Sequence, residues 1–372
     1  MKPPPAPNAF RIILVLLCVA ACAWAAPVRL GMVGLEHDGA GPFLTALRGR
    51  TEAKLAGIVE TNRDLIDHYQ SLYGLGPELF YTNFADLLAR AHPEAVISFT
   101  RTVDHAAVVQ ECAAAGLDVM LEKPLAINLA DARKIAAAAR KDAIDVLVDY
   151  ETTWQPAYRS VFDLVRGQHI IGPVRQLVVR AGHRGPKEIG CSTNFLEWLT
   201  DPAQSGGGAL VDFGCYGADL ETWMMEGRRP LAVVAAVQQI KPEVYPKVDD
   251  QATIILEYPG AQGIIQASWN APYDVRALEV FGRQGYALAP QGDLVRVRKA
   301  GAAESEFTVS PPAGAAPEDE ISYFVAVARK QKHPEGLCSL EINLTVMEIL
   351  DAARESVQTG RRIELPQAAP AQ

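Results

Sequence analysis

The sequence predicts an α/β protein with an N-terminal doubly wound parallel sheet and a second, α+β domain built on a large, open, mostly antiparallel sheet. Three observations carry this. Between residues 28 and 150 short apolar runs alternate with helical stretches, which implies parallel strands joined by right-handed crossovers. After Tyr150 the apolar runs lengthen and several alternate with polar residues, as in Gln262-Gly263-Ile264-Ile265-Gln266-Ala267-Ser268-Trp269. That is the habit of an open sheet covered by helices on one face. Finally, two early runs end in chemistry-bearing segments, a glycine turn at Gly34 and Glu122-Lys123-Pro124, and open α/β sheets bind ligands at such strand ends.

Val28-Arg29-Leu30-Gly31-Met32-Val33-Gly34 reads as a buried strand entering a turn, and 43–48 as the start of a helix. Strands follow at 54–60 and 95–100, a helix at 106–115, a strand at 118–121, an alanine-rich helix at 130–141 and a strand at 146–150. A helix at 158–166 leads into strands at 174–181, 231–239, 252–258, 263–269 and 277–282. A proline-bounded loop at 311–317 precedes closing helices at 319–330 and 339–359. The expected division is a leader at 1–26, a first domain at 27–150, a second at 151–365 whose last helix packs back on the first, and a frayed tail at 366–372.

With 372 residues the chain is too long for one ordinary core. Hydrophobic residues at 49% and charged residues at 21% supply enough apolar material for two. A formal charge of -9 argues against a nucleic-acid partner, because phosphate binding needs concentrated Lys and Arg. Lys2 and Arg11 precede an apolar run at 12–21, and Ala23-Trp24-Ala25 offers a small-residue exit. That pattern predicts an exported, periplasmic protein. Val19-Ala20-Ala21-Cys22 offers the alternative of a lipid anchor at Cys22, the one membrane link expected. The leader has no Arg-Arg pair for a prefolded export route. Cys112, Cys191, Cys215 and Cys338 form no CxxC and read as isolated thiols. The seven His lack metal-ligand spacing, so no metal site is expected.

Gly34-Leu35-Glu36-His37-Asp38-Gly39 stands where a dinucleotide-binding GxGxxG turn would. Gly34 and Gly39 match, but Glu36 replaces the glycine that lets backbone approach a pyrophosphate. Glu60 closes the second strand, 26 residues after Gly34. An acid there accepts ribose hydroxyls and repels a 2′-phosphate, favouring NAD over NADP. Lys123, at a strand end and fixed by Pro124, can present an ammonium to a substrate hydroxyl and stabilise a developing alkoxide. Downstream, Gly206-Gly207-Gly208 leads into a helix carrying Asp212, Tyr216 and Asp219 at i, i+4 and i+7, one polar stripe. Asp212 and Tyr216 form a candidate acid/base pair, the phenol exchanging a hydroxyl proton and the carboxylate orienting substrate or tuning Lys123.

In order and spacing, the turn after the first strand, Glu122-Lys123-Pro124 and Asp212-x-Gly214-x-Tyr216-x-x-Asp219 resemble the glucose–fructose oxidoreductase and inositol dehydrogenase (Gfo/Idh/MocA) family. The closing helix from Ser339-Leu340-Glu341 and Thr359-Gly360-Arg361-Arg362 also look like the family's end. The resemblance implies a Rossmann domain, a sheet domain used for homodimer or homotetramer contacts, and NAD-dependent hydride transfer to or from a sugar-like polyol or glycoside. It implies Lys123 and Asp212 as catalytic groups, with Tyr216 where the family often has His. Gly34, Glu36, His37, Gly39 and Glu60 fall at the cofactor's nucleotide end. Thr100, His105, Glu122 and Trp154 fall at its nicotinamide end, and His183 is a candidate substrate contact. Two alternatives stay open: glycoside cleavage through transient oxidation, and a sugar-binding protein that has lost its redox activity.

Overall fold

The computed structural model describes residues 26–310 and 318–367. The leader and its Cys22 site, the loop at 311–317 and the end of the tail lie outside the described residues.

The first domain runs β1 (Val28–Val33), α1 (Ala40–Leu47), β2 (Ala53–Val59), α2 (Arg63–Tyr73), β3 (Phe80–Tyr81), α3 (Phe84–Ala91), β4 (Ala95–Ser98), α4 (His105–Ala114), β5 (Asp118–Glu122), α5 (Leu129–Asp142) and β6 (Val146–Asp149). Its six strands are all parallel, in the order β3-β2-β1-β4-β5-β6. The chain fills one side of β1, then crosses to β4 and fills the other. The strand order therefore reverses between β1 and β4, where the carboxyl ends leave a crevice. Helix starts are fixed by side-chain caps: Asn62 accepts from Asp64 N–H, Asn83 from Asp86 N–H and Asn128 from Asp131 N–H. The segment holding α2, β3 and α3 has no counterpart among the elements expected from sequence.

The second domain opens with α6 (Glu151–Trp154), α7 (Pro156–Phe162) and a π-helical turn at Asp163–Gly167. Then come β7 (Val174–Gly182), α8 (Thr193–Leu199), α9 (Pro202–Ser205), α10 (Ala209–Asp212) and α11 (Gly214–Met224). The strands β8 (Ala232–Gln238), β9 (Gln251–Tyr258), β10 (Ala261–Ser268), β11 (Val275–Gly282), β12 (Gly285–Gln291), β13 (Leu294–Lys299) and β14 (Ser305–Thr308) follow. Helices α12 (Glu320–Ala328) and α13 (Leu340–Thr359) and strand β15 (Ile363–Glu364) end the chain. The nine strands order β14-β13-β12-β11-β7-β10-β9-β8-β15, with one parallel pair, β7 with β10. Burial of β9 alternates strictly, so one face of the sheet packs on helices.

Both closing helices return to the first domain. Ile321, Phe324 and Val327 of α12 join the core that holds Leu30, Met32 and Phe43. On α13, Val346, Met347, Ile349 and Leu350 are fully buried, each contributing roughly 1.5–3 kcal/mol. Leu129 N–H donates to Asp351, and the Arg354 guanidinium donates to the Ile127 carbonyl, which locks α13 beside α5.

One expectation is corrected. Asp212, Tyr216 and Asp219 do not share a single helix with a wet stripe. Asp212 ends α10, Phe213 breaks the run beside Gly214, and Tyr216 and Asp219 lie on α11. All three side chains are buried. The break separates their directions: Asp212 turns to Lys123, whereas Asp219 keeps both carboxylate oxygens buried without a hydrogen-bond partner.

Candidate active site

The centre of the site is a buried ion pair. β5 delivers Lys123 to the carboxyl edge of the parallel sheet, followed by a cis Lys123–Pro124 bond. Lys123 Nζ lies 2.5 Å from Asp212 Oδ1, and Trp269 Nε1 donates to Asp212 Oδ2 at 2.9 Å. Burial alone would lower the Lys123 ammonium, but Asp212 opposes it and holds the group above its ordinary value. Burial would likewise raise Asp212, and Lys123 outweighs it, so the carboxylate sits below its ordinary range. The pair is charged throughout the neutral range.

Aromatic faces wall it in. Lys123 Nζ lies 5.3 Å from the centre of the Tyr216 ring and 5.9 Å from that of Phe213. The Arg276 guanidinium packs on the same rings at 4.8 and 4.6 Å. Burial pushes the Tyr216 phenol well above its usual range, so it is a neutral donor and acceptor. His183 sets its ring edge-on to Phe213, centres 4.8 Å apart, and its Nδ1 accepts from Gly185 N–H at 3.0 Å. Burial lowers the imidazole, which keeps it neutral.

Glu122 and Asp149 are register neighbours on β5 and β6. Burial, and for Glu122 the nearby Asp149 charge, pushes Glu122 up to about 8 and Asp149 to about 7. Trp154 Nε1 donates to Asp149 at 2.7 Å. His105 is buried, with Nδ1 3.3 Å from the Leu125 carbonyl and Nε2 without a partner; burial brings it down to about 4. Thr100 Oγ1 pairs with Ser98 Oγ at 2.9 Å.

At the nucleotide end, Gly34 takes φ +78°, and a Cβ there would lie 2.9 Å from the Thr100 Cα. Only glycine fits that approach. Gly39 caps α1 so closely that a Cβ would reach 2.5 Å from Glu122 Oε1. Glu60 is buried and accepts three backbone N–H bonds, from Leu35, Thr61 and Asn62. His37 Nδ1 accepts from Gly39 N–H, and its ring packs edge-on against Phe195 at 4.7 Å. Burial takes His37 down to about 3. Glu36 keeps Oε2 buried and unpaired, and burial followed by the Glu60 charge raises it to about 7.

The structure thus groups Lys123, Asp212, Tyr216 and His183 at one end and Gly34, Glu36, Gly39 and Glu60 at the other, with His37 and Glu122 between. Helix α8 roofs the turn: Trp198 Nε1 donates to the Glu36 carbonyl and Asp38 accepts from Ser192 N–H. The space enclosed by His37, Lys123, Pro124, Trp198 and Asp212 is about 10 Å³, room for about one water. A larger cavity of about 490 Å³ shares Arg276 with the site and is lined by Glu151, Gln155, Tyr273 and Asp274. Among the described residues no cluster of His, Cys, Asp or Glu is placed to hold a metal.

Sequence reasoning missed Trp269, Arg276 and Trp198. Each had a faint signal: Trp269 and Arg276 stand at strand ends, and Trp198 stands eight residues before the first glycine of Gly206-Gly207-Gly208.

Residues 28–150 match the oxidoreductase family's NAD-binding Rossmann fold, and residues 158–288 match the GFO/IDH/MocA C-terminal domain. Among curated relatives, the bovine trans-1,2-dihydrobenzene-1,2-diol dehydrogenase is 30% identical over 208 residues, 56% of this chain and 58% of that enzyme. The Xenopus laevis enzyme of the same name is 34% identical over 164 residues, 44% of this chain and 46% of its own length. The chain thus spans about half the length of these curated relatives. Among solved structures, an inositol dehydrogenase homolog complexed with NAD+ from Azotobacter vinelandii superposes with a TM-score of 0.78 at 17% identity, covering 92% of this chain and 98% of its own. The aldose–aldose oxidoreductase of Caulobacter crescentus, complexed with glycerol, gives 0.74 at 21% identity, covering 91% of this chain and 100% of its own. These two show the same fold. The chain belongs to the Gfo/Idh/MocA oxidoreductase family, and its residues 28–150 are that family's NAD-binding Rossmann domain.

Proposed function

We propose that the protein is an NAD-dependent oxidoreductase that moves hydride between nicotinamide and a hydroxyl-bearing carbon of a sugar-like polyol or glycoside. The observation that carries this is the buried Lys123–Asp212 pair at the carboxyl edge of a Rossmann sheet, with the Tyr216 phenol beside it. The family assignment and the relatives' names, a diol dehydrogenase, an inositol dehydrogenase homolog and an aldose–aldose oxidoreductase, support a hydroxylated substrate.

The residues present fit the cofactor. The Gly34 turn leaves no room for a side chain against Thr100. Glu36 Oε2 and His105 Nε2 are buried polar atoms without a protein partner, one at each end of the site. Gly34, Glu36, His37 and Gly39 would line the pyrophosphate end. Glu60 uses three of about four acceptor positions on backbone N–H groups and keeps one for a ribose hydroxyl, which favours NAD over NADP. Thr100, His105, Glu122 and Trp154 border the nicotinamide end. When bound, NAD supplies the hydride acceptor and, reduced, the donor.

The chain's own residues handle the oxygen and its proton. The Lys123 ammonium stays charged and stabilises negative charge on the substrate oxygen in both directions. Asp212 keeps that ammonium charged and aimed, and Trp269 holds Asp212 in turn. Tyr216, a neutral phenol, passes the hydroxyl proton on to solvent during oxidation and returns one during reduction. Carboxylate, amide and guanidinium groups of Glu151, Gln155, Asp274 and Arg276 suit the remaining hydroxyls. Replacing Lys123 with methionine is expected to cut turnover by about 10²–10⁴-fold while NAD stays bound. Unchanged turnover would remove Lys123 from the mechanism.

The basic, apolar and small-residue leader supports export to the periplasm, either as a processed soluble protein or on a lipid at Cys22. Assembly as a homodimer or homotetramer through the nine-stranded sheet accords with the family resemblance. Mass determination of the mature N-terminus and light scattering test these two points.

A further inference from the structure

The glycine turn of a dinucleotide site ordinarily offers backbone N–H groups to the pyrophosphate. Here three of them are spent inside the protein. Leu35 N–H goes to Glu60 Oε2, His37 N–H to the Phe99 carbonyl and Gly39 N–H to His37 Nδ1. In the place of the second glycine stands Glu36. Its Oε2 lies 2.6 Å from where a Cβ on Gly34 would be, buried and without a partner.

Every charged group around Glu36 bears on its state. Glu60, at the end of β2, and Asp104, ahead of α4, both disfavour a second negative charge. Arg101 favours it, but its guanidinium is committed to Asp104 at 2.8 Å and Gln204 at 2.9 Å. His37, next in the chain, is neutral, and α8 contributes only the indole N–H of Trp198 to the Glu36 carbonyl. An ionised Glu36 facing Glu60 and a doubly charged pyrophosphate would put three anions in one partly buried turn. A protonated one turns the unpartnered Oε2 into a hydrogen-bond donor.

We propose that Glu36 is the protonated carboxyl on which the cofactor's pyrophosphate is seated, so that NAD binding takes up a proton. This rests on the NAD-dependent reading above and goes beyond it, because it makes cofactor retention a function of pH. Burial and Glu60 already hold the Glu36 carboxyl at about 7, and a bound pyrophosphate would raise it further. NAD affinity therefore weakens as pH rises above neutrality, by about tenfold per pH unit while only the bound form keeps the proton.

Isothermal titration of the full chain with NAD, in buffers of differing ionisation enthalpy across the neutral and mildly alkaline range, reads this directly. Wild-type protein should take up close to one proton per NAD on the alkaline side, with weakening affinity. Glu36→Gln and Glu36→Gly should take up none and bind with flat pH dependence. Wild-type binding without proton uptake overturns the proposal and leaves the NAD reading standing. Uptake that persists in Glu36→Gln also overturns it and assigns the proton to Glu122 or Asp149. Failure of all three proteins to bind millimolar NAD at any pH overturns the NAD reading itself.

Discussion

Replacing Asp212 with asparagine leaves the Lys123 ammonium buried without its counter-charge. The two side chains are 13% and 8% exposed and lie 2.5 Å apart, so solvent screens them little. Removing one partner of such a pair costs about 3–5 kcal/mol, most of it the stranded charge. The sign follows from the titration of Lys123. Its folded value is raised above 10.5, so its stabilising effect is fully present below the unfolded value and is lost only as pH rises through the folded one. At neutral pH the whole effect is at stake. At about 1.3 °C per kcal/mol for a chain of 372 residues, Asp212→Asn should melt roughly 4–7 °C below wild type. Thermal denaturation of Asp212→Asn, Lys123→Met and the double variant closes the cycle. The coupling energy should be at least about 1 kcal/mol, because the second substitution removes the charge that the first one strands. An Asp212→Asn melting point within about 2 °C of wild type, with additive single effects, would refute a buried, coupled pair.

Tyr216→Phe keeps the ring against Arg276 and Tyr150 and removes the phenol; turnover should fall by about 10²–10⁴-fold with NAD affinity unchanged, and an unchanged turnover would take Tyr216 out of the proton relay. Trp269→Phe removes the donor to Asp212 Oδ2 and should cost about 1–3 kcal/mol in thermal stability; no loss would show that the indole N–H does not support Asp212. Glu122, held up to about 8 from an ordinary 4.5, binds a proton in the folded state that the unfolded state has released. Stability should therefore fall as pH rises between those values, and Glu122→Gln should flatten the fall; an unaltered slope would assign it to Asp149 or Glu36.

The parallel sheet was legible because each of its longer strands is a continuous apolar run ending in turn chemistry. Leu30, Met32, Ile97, Met120 and Leu147 are all essentially sealed from solvent, and a run buried on both faces leaves a plain trace. The outer hairpins β12 to β14 left none. Arg296 and Arg298 alternate with Val295 and Val297, and β14 is exposed along its whole length, so edge strands there look like polar loop. The triad of Lys123, Asp212 and Tyr216 could be picked out as candidates from a strand end and a glycine-led segment, although the single-helix spacing assumed for Asp212 and Tyr216 does not hold. Its geometry could not. The break at Phe213 decides which way Asp212 points, and the support from Trp269 arrives from 57 residues away. Glu36 was legible only as a misfit; that its neighbours' N–H groups are already spent depends on contacts to Glu60 and Phe99 that no local pattern encodes.

The most direct test of the proposed chemistry loads the purified full-length protein with NAD, mixes it with inositol, aldoses, glycosides and a trans-diol in turn, and follows the near-ultraviolet absorbance of NADH. Bound NADH should form with a hydroxylated ring substrate in wild type, and should fail to form in Lys123→Met although NAD remains bound. Absorbance rising equally in Lys123→Met, or NAD-loaded wild type inert toward every polyol and glycoside, would contradict the account.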